Sequence, residues 1–496
     1  MSDSDADARS PQASRGPDVP PATDQDPWSL GAIAAMTQAT VAGISPQDWS
    51  LVAPLVVSGV ALDSRSVRGG EIFLALRGER VDGHAYIAPA FDAGAAAAIA
   101  RRGWWSRRRA ARARGVHLLV DDPAEALQQW AAALRARLRP RVVAITGSSG
   151  KTGTKEMLLA LLAPLGGVIG TQGNRNNLIG LPWTLLQLRP EHRWAVLEMG
   201  ANHRGEIARL SQIAQPDVAV LTCVGRAHEG EFGGRAALRA AKLEILEGLA
   251  RDGAVVIPDD DAELAAAVAE RWSGRLLRFG RSAAADVRLL DTRHAAEGTE
   301  LQIDGLPQPL ALRQLGQGAV TGALAALAAA RALDLREIDP SPLSNLPPLA
   351  GRLDPRRHRG VLWLLDMYNA SPESTMANLQ LLEQLPAEGR RVFVFGGMRE
   401  LGEESEALHV EVGRAAGFCD AGVFVGPEAR RSAPVAQKAG ERQVIWCDEP
   451  KDAVRFLRSY LRRGDIVLLK GARAAALEAI AEALGVIDAQ YGTWGG

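Results

Sequence analysis

The sequence predicts an α/β protein of three domains, and three observations lead to this prediction. A chain of 496 residues is long enough for about three domains of ordinary size. Residues 142–162 read as an apolar β-branched strand, a glycine turn and an amphipathic helix. In residues 350–496 five apolar runs alternate with helical patterns, which is typical of a Rossmann-like parallel sheet.

The composition argues against several classes of function. A net charge of −1 argues against a protein built mainly to bind nucleic acid. No apolar run approaches the roughly 20 residues that a membrane-spanning helix needs, and the run 93–100 predicts only a short helix of small residues. The cysteines show no metal or redox spacing, and the sequence shows no signal peptide. We therefore expect a cytoplasmic protein with three reduced thiols, at Cys223, Cys419 and Cys447.

The N-terminal part of the chain predicts a disordered tail followed by a first domain. Residues 1–27 are rich in Asp, Ser, Pro and Ala and cannot bury enough apolar surface to fold. Residues 28–139 predict a compact domain in which two strand-like runs flank a polar turn. Loop side chains there could meet a polar anionic ligand, although turn chemistry and surface ion pairs account for them equally well. The candidates are Asp63, Ser64, Arg65, Arg77 and His84.

A basic segment with two tryptophans lies in residues 101–114. Arginines interleaved with aromatic residues are one mark of nucleic-acid binding. A solvated, Arg-rich helix face between two strands gives the same pattern. We favour the solvated face, because the chain as a whole is not basic.

Residues 147–152 predict a phosphate-binding loop. Glycines let backbone N–H groups approach phosphate oxygens, and the helix that follows adds the positive end of its dipole. The lysine could bridge the β- and γ-phosphates, and the threonine hydroxyl could bind Mg²⁺. An ordinary strand–turn–helix corner has no need for such a lysine. The predicted ATP-binding residues are Gly147, Ser148, Ser149, Gly150, Lys151 and Thr152.

The rest of the central domain, residues 140–349, places polar groups at strand ends. Glu198 and His228 each follow an apolar run, and ligands of open α/β sheets bind at the carboxyl ends of strands. Lys242 lies on a predicted helix, and a glycine-rich loop carries Asn174, Asn176 and Asn177. Taken singly, these read as a surface acid, a satisfied imidazole, a solvated lysine and a polar loop. Beside a phosphate loop, their positions favour function.

The last domain is predicted to span residues 350–496, after a Pro-rich linker at 339–348 and a helix at 323–333. Its first strand ends at Asp366 and its last strand ends at Lys470, so both side chains belong to the ligand-binding edge. No G-x-G-x-x-G follows a strand, which argues against a separate NAD site.

Taken in order, these motifs resemble those of the Mur ligases, and the resemblance covers nearly everything from Trp28 onward. It rests on Asp63-Ser64-Arg65, Gly70-Glu71-Ile72-Phe73, Asp82-Gly83-His84, residues 146–152, Gly173-Asn174-Arg175-Asn176-Asn177, Glu198-Met199-Gly200-Ala201, His228, Ala241-Lys242, Gly351-Arg352, His409 and Lys470-Gly471. Two further elements resemble the members that add D-alanyl-D-alanine to UDP-N-acetylmuramoyl tripeptide: Tyr368-Asn369-Ala370 and Met398-Arg399-Glu400-Leu401-Gly402.

The resemblance implies a UDP-sugar-binding α/β domain at 28–139, a P-loop ATPase domain at 140–349 and a Rossmann-like ligase domain at 350–496. It implies that ATP phosphorylates the carboxylate of a UDP-sugar peptide and that a dipeptide amine then attacks the acyl phosphate. ATP and two Mg²⁺ ions are the implied cofactors, a UDP-sugar peptide and a dipeptide are the implied substrates, and a monomer is expected.

The resemblance also assigns roles to residues. Catalytic roles are implied for Lys151, Glu198, His228, Lys242 and Arg352, with Thr152, Glu198 and His228 as metal ligands, Lys242 as a candidate for carbamylation and Asp366 as a further ATP contact. Substrate binding is implied for Ser64, Arg65, Arg77, Asp82, His84, Asn174, Asn176, Asn177, Tyr368, Asn369 and Lys470.

The chain departs from the family pattern at a few positions. Gly153 stands where Thr or Ser is usual, and Ala472 stands where Ser is usual. Gly318, Ala319 and Gly322 occupy an element that usually carries His and Asn residues expected to help hold the nucleoside. Two alternatives therefore stay open: a related ligase with another amine acceptor, and a Mur-like protein that binds nucleotide without turnover.

Overall fold

The computed structural model describes residues 26–78, 80–106, 114–225, 232, 234–440 and 443–491, and its chain divides into two compact units. The first unit holds the chain up to Arg139 together with Pro182–Leu188, and the second holds Pro140–Leu181 and the chain from Arg189 onward. Nearly all of the predicted tail, the basic segment 107–113 and His228 lie outside the described residues. Within the described ranges, no helix is long and apolar enough to cross a membrane.

A five-stranded sheet forms the centre of the first unit. Its strands are β1 Thr40–Ala42, β2 Val60–Ala61, β3 Ile72–Leu74, β4 Ala97–Arg101 and β5 Val116–Val120. The spatial order is β1-β5-β4-β3-β2, in which β2 to β5 run parallel and β1 pairs antiparallel with β5. The helices of this unit are α1 Leu30–Met36, α2 Pro46–Val52, α3 Ile87–Asp92 and α4 Pro123–Leu138.

The helix predicted at 93–100 is wrong, because residues 93–96 are not helical and β4 occupies the second half of this segment. β4 lies between β3 and β5, and its first four residues are completely buried. A strand inside a parallel sheet is covered on both faces and reads as a continuous apolar run. Burial between two neighbouring strands outweighs the modest intrinsic preference of alanine for helix.

A nine-stranded sheet forms the first part of the second unit. Its strands are β6 Arg141–Thr146, β7 Gly167–Gly170, β8 His192–Glu198, β9 Val218–Leu221, β10 Ala254–Pro258, β11 Arg275–Gly280, β12 Val287–Ala295, β13 Gly298–Ile303 and β14 Leu310–Leu312. The order is β14-β13-β12-β11-β10-β9-β6-β8-β7, parallel from β7 to β12 and antiparallel beyond. The helices along this part of the chain are α5 Lys151–Leu162, α6 Gly180–Leu185, α7 Glu206–Ala214, α8 Arg235–Leu243, α9 Ala262–Ala269, α10 Gly316–Ala332 and α11 Pro342–Asn345. The residues of α6 from Pro182 onward belong to the first unit.

This topology brings three predicted site segments together. β6 lies between β8 and β9, and all three run parallel. The phosphate loop after β6, Glu198 at the end of β8 and the loop after β9 therefore meet at one edge of the sheet. Two predictions need correction here. α10 begins at Gly316 rather than at Ala323, and the predicted linker contains α11, whose Leu343 is completely buried in the core.

A six-stranded sheet forms the second part of this unit. Its strands are β15 Asp354–His358, β16 Val361–Asp366, β17 Arg391–Phe395, β18 Ala421–Val425, β19 Gln443–Cys447 and β20 Ile466–Lys470, in the order β15-β16-β20-β17-β18-β19. The five predicted strands are confirmed, and the unpredicted β15 is an antiparallel edge strand with a polar sequence. The helices are α12 Pro372–Gln384, α13 Ser405–Ala415, α14 Gly426–Ala429, α15 Ala433–Ala439, α16 Pro450–Tyr460 and α17 Glu478–Ala483.

Asp465 fixes the start of β20, the strand that ends at Lys470. Its buried carboxylate accepts hydrogen bonds from the backbone N–H groups of Arg390 and Arg462, at 2.9 and 2.8 Å, and from the Arg390 guanidinium at 2.7 Å. One side chain therefore joins the two loops that precede the neighbouring strands β17 and β20.

We expect Asp465→Ala to destabilise the second unit by about 3 kcal/mol, because it leaves buried donors without their acceptor. Urea titration followed by tryptophan fluorescence measures the loss as a lower unfolding midpoint. Asp448→Ala is the matched control, since Asp448 is an exposed aspartate of the same domain. Equal midpoints for the two variants would contradict this role for Asp465.

Candidate active site

A cleft of about 1460 Å³ opens at the carboxyl ends of β6, β8 and β9. One wall carries the phosphate loop, the loop with three asparagines and the first turns of α10. The facing wall carries Arg352 and the ends of β16 and β20. The cleft therefore gathers polar groups from both sheets of the second unit.

The phosphate loop adopts a conformation that its glycines make possible. Gly147 and Gly150 have φ angles of +147° and +81°. A Cβ atom at Gly147 would lie 2.1 Å from the Thr222 hydroxyl, so any side chain there would collide with the loop after β9. No side chain caps the start of α5. The N–H groups of the first helical turn have no intrahelical acceptor and stay open to an anion.

Lys151 lies at the start of α5, and its Nζ donates a hydrogen bond to the Gly147 carbonyl at 2.7 Å. Burial lowers the pKa of this amine, and the Glu198 carboxylate opposes the shift. Beneath the loop, the Sγ of Cys223 lies 3.3 Å from the Ser149 backbone nitrogen. The Lys151 amine thus lies against the phosphate loop, and Cys223, in the loop after β9, contacts the phosphate loop as well.

Two neighbouring side chains hold the carboxylate of Glu198, which lines the cleft. Its carboxylate accepts hydrogen bonds from the Thr152 hydroxyl at 2.9 Å and from the Asn176 amide at 2.8 Å. Its backbone N–H donates to the Thr171 hydroxyl at 3.0 Å. A hydroxyl and a carboxylate in direct contact are hard oxygen ligands of the kind that Mg²⁺ takes. The described part of the chain contains no cluster of three or more His, Cys, Asp or Glu side chains able to hold a metal.

The other two asparagines of the loop differ in their surroundings. Asn177 caps the turn before α6, because its side-chain oxygen accepts the backbone N–H groups of Ile179 and Gly180 at 3.2 and 2.9 Å. Asn174 is exposed and lines the cleft. Their predicted contacts with substrate stay predictions.

Lys242 is a buried cation at the end of α8, with 2% of its surface exposed. Its amine lies 5.6 Å from the centre of the Phe232 ring. Burial, helped by the charge of Lys151, lowers the pKa of Lys242 to about 7 against the opposing effects of Cys223 and Glu244. The amine is therefore largely neutral above neutral pH. His228, predicted to act beside it, lies outside the described residues.

On the facing wall, Asp366 and Lys470 stand at the same register of neighbouring parallel strands. Their ion pair measures 2.7 Å, and Lys470 is almost completely buried. The same amine donates to the Asn369 carbonyl at 2.7 Å. Lys470 thus fixes both the acid and the start of the loop that follows it.

Arg352 lies at the junction between the two sheets of this unit. Its guanidinium stacks on the Tyr368 ring at 4.1 Å, and its charge contributes to the lowered pKa of Lys151. The backbone N–H of the preceding Gly351 donates to the Tyr491 hydroxyl at 2.8 Å. The structure therefore brings a second cation toward the phosphate loop.

Sequence reasoning missed two buried polar residues near the site. Lys155 is completely buried on α5, donates to the Thr171 carbonyl at 2.6 Å and pairs with Glu156 at 2.9 Å. A lysine on the apolar face of an amphipathic helix was the available signal. Asn378 on α12 donates to Asp366, and no sequence pattern signals this residue because the contact forms only in the folded chain.

The candidate residues of the first unit lie on two polar turns of its sheet. Asp63 caps the turn Ser64–Ser66 and pairs with Arg65 at 2.6 Å, which lowers the pKa of Asp63 to about 2. Ser64 and Arg65 lie on that turn. The backbones of Arg77 and Asp82 form an isolated antiparallel β-bridge.

The geometry of His84 favours a structural role over the predicted contact with substrate. Its Nδ1 lies 2.6 Å from the carboxylate of Asp82, and its Nε2 accepts the Arg101 backbone N–H at 3.0 Å. Both ring nitrogens are therefore used inside the unit.

Three family models match the chain in order. They are described as Mur ligase family, catalytic domain, over residues 56–135; Mur ligase middle domain, over 145–330; and Mur ligase, glutamate ligase domain, over 351–473. The UDP-N-acetylmuramoyl-tripeptide–D-alanyl-D-alanine ligase of Bacillus subtilis is 36% identical over 91% of this chain and 97% of its own length.

Solved structures show the same similarity. MurF from Acinetobacter baumannii has a TM-score of 0.80 and 31% identity, covering 93% of this chain and 99% of its own. MurF from Thermotoga maritima in complex with ADP has a TM-score of 0.76 and 32% identity, covering 86% of this chain and 96% of its own.

We expect Lys242→Met to stabilise the protein in a pH-dependent way. In the unfolded chain the amine has its ordinary pKa of 10.5, and in the folded chain its pKa is about 7. The folded state therefore carries a penalty that is absent above pH 10.5, grows as the pH falls and is complete below pH 7. Unfolding midpoints at several pH values should favour the variant increasingly from pH 10 to pH 7. Lys438→Met, at an exposed lysine, is the control; a pH-independent difference for Lys242→Met would contradict the assignment.

Proposed function

The chain belongs to the Mur ligase family, and from this premise we propose that it joins D-alanyl-D-alanine to UDP-N-acetylmuramoyl tripeptide at the expense of ATP. Relatives of that name match it over nine-tenths of its length. The observation that carries the proposal is the contact of Thr152 with Glu198 beneath an open phosphate loop, in a cleft whose facing wall carries Asp366 and Lys470.

The first step brings two anions together. The carboxylate of the UDP-sugar peptide attacks the γ-phosphorus of ATP, an acyl phosphate forms and ADP leaves. The N–H groups at the start of α5 and the amine of Lys151 offset the phosphate charge, and Arg352 adds a second cation. Phosphoryl transfer of this kind depends on positioning and on charge neutralisation.

Magnesium fits the donors that the cleft presents. Thr152 and Glu198 would hold the ion, which would neutralise phosphate charge when bound with the nucleotide. We propose His228 as a further ligand. The largely neutral amine of Lys242 is the form that reacts with carbon dioxide. Carbamylation there, with release of a proton, would turn the buried amine into an anionic ligand for a second ion.

The second step forms the amide bond. The amine of the dipeptide attacks the acyl carbon, inorganic phosphate leaves, and the amine gives up its proton. Tyr368, Asn369 and Lys470 line the cleft on the side of the last domain and are proposed to position the dipeptide and exclude water. Water in this cleft would hydrolyse the acyl phosphate and waste ATP.

The proposal assigns one role to each domain. Residues 28–139 would bind the UDP-sugar peptide, with Ser64, Arg65 and Arg77 as its polar contacts. Residues 140–349 would bind ATP, with Asn174, Asn176 and Asn177 next to the peptide carboxylate, and residues 350–496 would bind the dipeptide. A monomer suffices, since every residue named belongs to one chain. A cytoplasmic location is part of the proposal, because ATP is the donor and the three cysteines are free thiols.

We expect phosphate release from ATP to require both substrates. The assay supplies ATP, Mg²⁺ and UDP-N-acetylmuramoyl tripeptide, with and without D-alanyl-D-alanine. Release only with both supports the proposal. Release with a different amine would identify a related ligase with another acceptor. Intact ATP binding without release under any condition would identify a nucleotide-binding protein without turnover.

We expect Lys151→Ala to lower kcat by about a thousandfold, because the variant loses the cation that faces the phosphates. The same phosphate-release assay measures the effect. Lys438→Ala removes an exposed lysine and should leave the rate unchanged. Ligation by Lys151→Ala at a near wild-type rate would show that the loop does not act on the transferred phosphate.

A further inference from the structure

We propose that Asn378 is a specificity-determining residue for the nucleotide, and that with Asp366 it forms a pair of hydrogen-bond acceptors for the neighbouring hydroxyls of the ribose. This inference rests on the proposed function, which makes ATP the ligand of the cleft. It adds a residue that neither the motifs nor the spacing of the sequence indicated.

In the side-chain amide of Asn378, the nitrogen has a hydrogen-bond partner and the oxygen has none among the described residues. Asn378 lies on the second turn of α12, has 7% of its surface exposed and lines the cleft. Its Nδ2 donates to an oxygen of Asp366. Because a carboxylate only accepts, the amide nitrogen must face Asp366 and the oxygen must point elsewhere. Within the described ranges, no donor contacts that oxygen.

Among the residues that the structure describes, the carboxylate of Asp366 likewise has one oxygen with hydrogen-bond partners and one oxygen without. Its Oδ2 accepts both the Asn378 amide and the Lys470 amine, the latter at 2.7 Å. Among the described residues, nothing donates to its Oδ1. Two adjacent side chains, joined by one hydrogen bond and held by a buried lysine, thus each keep one acceptor for a ligand. Both residues line the cleft, so the two open oxygens fit a ligand that brings two hydrogen-bond donors.

The chemistry of the ligand follows from these acceptors. Fully ionised phosphate and carboxylate groups offer no donors and do not match. Two neighbouring hydroxyls match, because each O–H donates to one of the two oxygens. A ribose carries such a pair at its 2′ and 3′ positions.

The position along α10 agrees with a ribose. The side-chain oxygen of Asn378 lies 3.9 Å from the place of a Cβ atom at Gly316, the first residue of α10. Thr321 lies beside the phosphate loop, 3.8 Å from the place of a Cβ atom at Gly150. Five residues of helix separate these two points by about 7.5 Å. The acceptor pair is therefore displaced from the phosphate loop, as a ribose is from the terminal phosphates of ATP.

The test is equilibrium binding of ATP, 2′-deoxy-ATP and 3′-deoxy-ATP to the full chain without the peptide substrates. We expect the wild type to bind each deoxy nucleotide about three- to tenfold more weakly than ATP, the cost of one hydrogen bond. Asn378→Leu should weaken the binding of ATP by a similar factor. The variant should bind ATP no more tightly than the deoxy nucleotide that lacks the hydroxyl facing the amide. It should still bind ATP more tightly than the other deoxy nucleotide.

Gln380→Leu is the matched control, because it replaces an exposed amide on the same helix. It should bind all three nucleotides as the wild type does, and thermal unfolding should show both variants folded. Unchanged discrimination in Asn378→Leu would overturn the inference. So would a raised KM for the dipeptide with unchanged nucleotide ratios, which would place the amine at Asn378. A wild type that turns over ATP without deoxy discrimination overturns the inference alone, whereas a wild type that binds no ATP overturns the proposed function as well.

Discussion

The hydrogen bond between Thr152 and Glu198 is the contact on which the cleft depends. Thr152 is placed by the turn that Gly147 and Gly150 allow, and Glu198 is placed by the end of β8. Asn176 holds the second carboxylate oxygen, so the asparagine loop is fastened to the same acid. A buried carboxylate is costly unless it is hydrogen-bonded. The three surrounding segments are therefore held in one arrangement, and each of them presents further polar groups to the ligand.

On the facing wall, the ion pair of Asp366 and Lys470 holds the neighbouring polar groups in place. Parallel strands in register place the two opposite charges side by side, and the almost complete burial of Lys470 makes the pair less sensitive to salt than an exposed ion pair. A buried ion pair contributes little net stability, since desolvation cancels much of the attraction. Its value here is geometric: it fixes one oxygen of Asp366 and the Asn369 carbonyl, and it leaves the other oxygen of Asp366 for a ligand.

The sequence predicted the parts of the site that depend on local order along the chain. A strand, a glycine turn and a lysine predict a phosphate loop wherever they occur together, and a polar residue after an apolar run predicts a strand end. Contacts set by tertiary packing were not predictable in this way. Lys155 finds its carbonyl partner 16 residues away, and Asn378 meets Asp366, 12 residues away, only after the chain has turned from β16 into α12. The helix predicted at 93–100 failed because burial between strands decided the conformation of an alanine-rich run.

The glycines that depart from the family pattern form one structural change rather than several independent losses. A Cβ atom at Gly322 would lie 3.1 Å from the Met157 sulfur and 3.3 Å from the Thr154 nitrogen, so a side chain there would push α10 away from α5. A Cβ atom at Gly153 would meet only the Gly318 carbonyl within 4 Å, at 3.9 Å, and a Cβ atom at Gly318 would meet nothing within that distance. Close approach of the two helices therefore accompanies open space beside the phosphate loop.

That packing of α10 against α5 leaves the groups of the phosphate loop in place. The bond from Thr152 to Glu198 has ordinary length, and Lys151 still faces its loop. The polar side chains missing from α10 belong to the part of the cleft that would hold the nucleoside, and α12 brings a buried amide to the same region. In the proposed mode of binding, α12 rather than α10 would supply polar contacts to the nucleoside, while the groups that would act on the transferred phosphate keep their places.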